Sequence, residues 1–127
     1  MTPADDPSIT DDIGLLRGLK PLEVSFDSLG NPVLSDGAFR SKVLSAFCAD
    51  RASELDVFAE YPQASRVARL TVQDIRDAGC IVQNEEPPTG HVGIYRKDNP
   101  GQRIGGGAAG QMAKKAKLLP IQSNQGP

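Results

Sequence analysis

Apolar residues change their spacing several times along this chain, and each change marks an element. An apolar run over residues 13–19 ends at Lys20-Pro21, because the residue before a proline avoids the helical region. Leu22, Val24 and Phe26 alternate with Glu23 and Ser25, the two-residue period of a half-buried strand, and Gly30-Asn31-Pro32 then signals a turn. Ser35 and Asp36 can cap a helix running to Lys42, against which Gly37 counts in the first turn. Residues 43–49 fit two patterns. Phe39, Val43, Leu44 and Phe47 make a helical stripe, while the short apolar run itself reads as a buried strand.

The second half is punctuated more sharply. Ser53 precedes Glu54, Leu55, Asp56 and Phe58, an N-cap with acids where a helix dipole favours them, and Pro62 stops that helix after Tyr61. Residues 66–70 predict a strand. Thr71 caps a short helix with Asp74 at its third position, Gly79 is placed for a left-handed C-terminal cap, and residues 80–83 resume as strand. The loop Glu85-Glu86-Pro87-Pro88 leads to a second strand over residues 91–96, expected antiparallel to the first, and Asp98-Asn99-Pro100-Gly101 is a turn. Met112, Ala116 and Leu119 predict a final helix over residues 111–119, ended by Pro120 and preceded by a flexible glycine hinge at residues 105–110. The pattern predicts one small α+β domain over residues 13–119, with a mixed or antiparallel sheet and three to four short helices. Residues 1–12, polar with two Pro and four Asp, and residues 120–127, which lack an apolar anchor from Gln122 on, are expected to be disordered tails.

Composition narrows the function. The 127 residues include no Trp and six Phe plus Tyr, too few for a stacking platform along single-stranded nucleic acid. No segment has the length of a membrane span or the pattern of a signal peptide, so a cytoplasmic protein is expected. Cys48 and Cys80 stand 32 positions apart, a spacing that predicts reduced thiols and neither metal nor cofactor. The net charge of −2 conceals an asymmetry: residues 1–60 carry 11 acids and 5 bases, whereas residues 96–127 carry one acid and six bases. Arg96, Lys97, Lys114 and Lys115 belong to that basic end, which offers a salt-sensitive contact to phosphates. The acidic first half would repel a nucleic acid, so two solvated faces or a protein partner are the simpler expectation. Gly105, Gly107 and Gly110 match G-x-G-x-x-G but lack the strand, the βαβ unit and the following acid that a dinucleotide site needs.

His91 is the single histidine and has the side chain suited to general acid–base work near neutral pH. The segment His91-Val92-Gly93-Ile94-Tyr95 resembles the histidine strand of NlpC/P60-type cysteine peptidases. That resemblance implies His91 as base and Cys48, 43 residues upstream, as nucleophile. The surroundings of Cys48 depart from that family: no Asp precedes it and no Gly follows at a helix start. Separately, Leu15-Leu16-Arg17, Ser35 to Phe39, Leu44-Ser45, the Arg76 to Val82 segment and His91-Val92 are similar in order and spacing to a group of small uncharacterised bacterial proteins. The resemblance spans about 80 residues. It implies no activity, favours strand over helix at residues 43–47, and singles out Arg17, Ser35, Phe39, Arg76 and His91 as positions to consider together. The expectation is a bacterial binding or interaction module that serves a larger system, with a Cys48/His91 hydrolase and a weak phosphate or nucleic-acid binder as alternatives.

Overall fold

Strand β1 (Gly14–Leu19) carries leucines on both of its faces, so it must be covered on both sides. A computed structural model describing residues 2–120 places it inside a six-stranded sheet ordered β6-β7-β4-β1-β5-β8. The other strands are β4 (Leu44–Cys48), β5 (Arg66–Thr71), β6 (Cys80–Asn84), β7 (His91–Arg96) and the two-residue β8 (Lys117–Leu118). All pairings within this sheet are antiparallel. A separate hairpin joins β2 (Val24–Phe26) to β3 (Pro32–Leu34). Three helices complete a small α+β fold: α1 (Glu54–Glu60), α2 (Val72–Asp77) and α3 (Gly106–Lys115), with 3-10 turns at Pro21–Glu23 and Asp36–Phe39.

The two faces are unequal. Leu15, Leu19, Leu44, Ala46, Leu70, Val82 and Ile94 point to one face, where Phe39, Ile75, Ile104 and Met112 bury them. Leu16, Phe47 and Val67 point to the other and meet Val57 of α1, flanked by Phe58 and Tyr61. Residues 44–48 resolve as strand for this reason: Leu44, Ala46 and Cys48 face one layer while Phe47 faces the other. A central strand buried on both sides reads as a continuous apolar run, which imitates a helical stripe.

Caps set the helix starts. Ser53 and Thr71 each accept the backbone N–H of the third helical residue, and Asp56 and Asp74 reach back to the cap N–H groups. Gly79 ends the α2 unit at φ +88°, a conformation costly for any residue with a Cβ.

Three expectations are corrected. Residues 111–119 do not form one helix: α3 begins at Gly106, inside the expected hinge, and stops at Lys115 before Lys117 and Leu118 pair with Arg69 and Ala68. Packing outweighs the roughly 1 kcal/mol that each helical glycine costs, because α3 buries Ala109 and Met112 in the core. The helix expected from Ser35 shrinks to the turn Asp36–Phe39, which buries Ala38 and Phe39.

The acidic N-terminal stretch is also fastened rather than free. The Asp6 N–H donates to the Val82 carbonyl (2.8 Å), the Val82 N–H donates to Asp5 Oδ1 (2.9 Å), and Ile9 is buried. Arg76 holds Asp5 at 3.0 Å and Asp11 at 2.7 Å. This segment covers the outer edge of β6, an edge otherwise open to pairing with another chain. Arg76→Ala is expected to speed hydrogen exchange at the Asp6 and Val82 amides and to cost about 1 kcal/mol of stability. Unchanged exchange at both amides would show that the backbone bonds hold the segment without Arg76. Met1 and residues 121–127 lie outside the described residues, and with them most of the expected C-terminal tail.

Candidate anion-binding pocket

The alternation that turns Leu15 and Leu19 into the core turns Arg17 the same way. Its charge is accommodated because the sheet opens beside it. Strand β1 pairs with β5 along all six of its residues, but with β4 only at Leu15↔Cys48 and Leu16↔Phe47. Beyond Leu16 the two strands part, and the Arg17 side chain enters the gap. Its Nη1 donates to the Ser45 carbonyl at 2.8 Å, and Nε and Nη2 donate to the Ala38 carbonyl at 3.3 and 3.1 Å. Every partner is a neutral backbone oxygen. A guanidinium has five N–H donors, so two on Arg17 have no partner among the described residues. Burial lowers its pKa from the ordinary guanidinium value, while the Glu23 carboxylate and Tyr61 oppose that shift, and the group stays charged.

The gap opens into a pocket of about 340 Å³. Lys20 and Arg40 stand at its rim with Arg17, against the one carboxylate of Glu23. Ser41, Ser45, Tyr61 and Gln63 add polar groups. Glu23 is engaged by the Lys20 backbone N–H at 2.8 Å, and Arg40 has a loose, half-exposed contact with Asp36 at 3.4 Å. The wall is shaped by Ser35, whose hydroxyl accepts the Gly37 N–H at 3.1 Å and so sets the turn that aims the Ala38 carbonyl at Arg17. A volume of this size suits a small ligand, and excess positive charge around a partly desolvated guanidinium is a setting for an anionic group.

Of the positions singled out in the sequence, Arg17, Ser35 and Phe39 come together at this pocket and its supporting turn. Arg76 is elsewhere, holding the N-terminal segment. His91 and Cys48 are divided by the sheet. His91 pairs with Phe47 and packs on its ring with centroids 5.3 Å apart, whereas Cys48 turns to the opposite layer with Val92. Both touch a small cavity of about 150 Å³ at the sheet's end, but burial raises the Cys48 thiol pKa, the reverse of what a nucleophile needs. Cys80 is buried too, and its pKa is pushed up to about 11.

The His91 ring is occupied with structure. Its Nδ1 lies 3.1 Å from the Glu85 carbonyl, which only accepts, so Nδ1 carries the proton in the neutral ring. The Glu85 carboxylate folds over Gly93, where a Cβ would approach it to 2.6 Å, and accepts from Gln83 Nε2 and the Tyr95 hydroxyl. Burial and this carboxylate push the Tyr95 pKa up to about 12.

The C-terminal cations do not form one stripe. Arg96 is paired with Asp98 at 2.8 Å, and Lys97 lines a surface pocket that also reaches Gly105 before α3. Lys114 and Lys115 sit in the last turn of α3, roughly 15 Å away along a ten-residue helix. Among the described residues no cluster of His, Cys, Asp and Glu can hold a metal, and no helix is long and apolar enough to cross a membrane.

Lys20, Arg40 and Tyr61 went unnoticed in the sequence. The one available signal was Arg17 itself, a cation on the core-facing side of a strand between two leucines. Comparison with protein-family models, curated proteins and solved structures gives no match.

Proposed function

We propose that this chain is a small binding module that captures a carboxylate or phosphate group in the pocket at Arg17. The observation that carries this reading is a half-buried guanidinium whose hydrogen-bond partners among the described residues are all backbone carbonyls, with two N–H donors unused, in a residue that lines a pocket with Lys20 and Arg40. A structural cation in such a place is usually hydrogen-bonded to a carboxylate; here Glu23 shares the pocket without bonding Arg17, and a ligand would supply the direct partner. One N–H remains on each of Nη1 and Nη2, and a guanidinium matches the oxygens of either anion. The anionic group can be free or carried by a protein partner, which accords with service in a larger system. The Cys48/His91 hydrolase finds no support in a protonated thiol that faces away from the imidazole.

The test is titration of the full chain with orthophosphate, pyrophosphate and succinate against chloride of equal ionic strength, read by calorimetry and by thermal unfolding. At least one of the three is expected to bind saturably and raise the unfolding temperature. Lys20→Ala and Arg40→Ala are each expected to weaken that binding about fivefold or more. If none of the three stabilises the protein beyond chloride, the pocket is not an anion site and the reading fails.

A further inference from the structure

The hairpin β2–β3 and the turn before it present apolar surface that nothing among the described residues covers. Leu22 is 98% exposed, Leu29 84%, Phe26 58% and Val33 46%, and these four account for most of the large exposed apolar side chains. Only Val24 and Leu34 pack back against the core. The hairpin is a sheet of two strands, an arrangement of marginal stability by itself. Its charge is one-sided as well: residues 22–34 include Glu23 and Asp27 and no Lys or Arg.

The complementary surface lies next door. A groove of about 420 Å³ runs between β3 and the end of α3, with Pro32, Val33 and Leu34 on one wall and Ala113, Ala116 and Leu118 on the other. Lys114 lines it, Lys115 and Lys117 follow, and the described residues offer none of the three an ion-pair partner. One copy therefore carries both halves of an interface, an apolar and acidic arm beside an apolar groove whose one acid, Asp36, is paired with Arg40 and whose α3 end carries the lysines. A two-fold axis brings each half onto the other, the self-complementarity of an isologous contact.

We infer that the β2–β3 hairpin of one copy docks in the groove between β3 and α3 of a second, so that the protein forms a two-fold dimer. Phe26 and Leu29 fill the apolar floor of the partner's groove, and Asp27 faces the lysines at the end of α3. The interface uses neither Arg17 nor its two carbonyl partners, so it stands or falls separately from the anion pocket.

Sedimentation equilibrium of the full chain over a wide concentration range tests this. A reversible monomer–dimer equilibrium is expected. Phe26→Ser combined with Leu29→Ser is expected to raise the dissociation constant at least roughly tenfold, a loss typical of central apolar anchors. Both residues are exposed, and an unchanged unfolding profile of the diluted monomer confirms that the variant folds. Asp27→Lys and Lys114→Glu are each expected to weaken the dimer, and their combination to recover it. A monomer at every concentration overturns the inference. So does a dimer that the hairpin substitutions leave intact, or a charge swap with no recovery.

Discussion

Replacing Arg17 by methionine is expected to lower the stability of the fold by about 2–3 kcal/mol and to abolish anion binding altogether. The direction needs an argument, because replacing a buried charge by an apolar side chain is often neutral. Two considerations decide against neutrality here. The guanidinium head adjoins an open pocket, so it is only partly desolvated and little is regained by removing it. Its three hydrogen bonds also occupy the Ser45 and Ala38 carbonyls, where the divergence of β4 from β1 has ended the ladder. Methionine preserves the aliphatic stem and leaves both oxygens without their donors. Arg17→Lys should retain part of the stability, since one ammonium can reach one carbonyl but lacks the planar fork that spans two. Urea unfolding of the three proteins in chloride, then with the best-bound anion, separates the effects. Wild-type stability in Arg17→Met would refute the role of Arg17 as a clamp between β1, β4 and the 36–39 turn.

Phe39→Ala is expected to cost more, about 3–5 kcal/mol. Phe39 is 1% exposed and belongs to the core layer that includes Ile104, Ala109 and Met112. It is the largest apolar group of the 3-10 turn against which α3 rests, and a run of glycines has little intrinsic helicity to keep α3 formed without that support. Hydrogen exchange at the Ala109 and Met112 amides is expected to accelerate beyond the global loss of stability. Phe39→Leu, which fills most of the same space, should cost only about 1.5 kcal/mol. Because the adjacent Ala38 carbonyl receives two Arg17 hydrogen bonds, Phe39→Ala should also weaken anion binding. Equal loss in the alanine and leucine variants would mean that the site collapses around either side chain, and that Phe39 does not brace α3.

The pocket at Arg17 and the groove between β3 and α3 meet the same short stretch from different sides. The turn Asp36–Phe39 sends the Ala38 carbonyl to Arg17, places Asp36 at the groove, and packs Phe39 under α3. A ligand that draws on Arg17 would therefore act on a turn shared with the proposed interface.

What the sequence determined by itself was local. Caps at Ser53 and Thr71, the stop before Pro62, the left-handed Gly79 and the strand over residues 91–96 each follow from bonds or dihedral preferences confined to a few neighbouring residues. A small α+β domain was legible on the same ground, whereas the sheet stayed open between mixed and antiparallel until the pairings were seen. Strand order was not, nor was the choice of strand for residues 44–48, because both depend on what lies above and below the sheet. Packing against the 36–39 turn drew Gly106 and Gly107 into a helix, and pairing with Arg69 and Ala68 drew Lys117 and Leu118 out of one. Arg76 recruited an acidic stretch some 70 residues away that had no apolar run to betray its order. The pocket belongs wholly to the tertiary structure. Alternation along β1 pointed Arg17 inward, but only the early parting of β4 from β1 made room for its charge and set Lys20 and Arg40 at the opening. Register between strands far apart in sequence is a collective outcome of packing both faces, and no spacing along the chain encodes it.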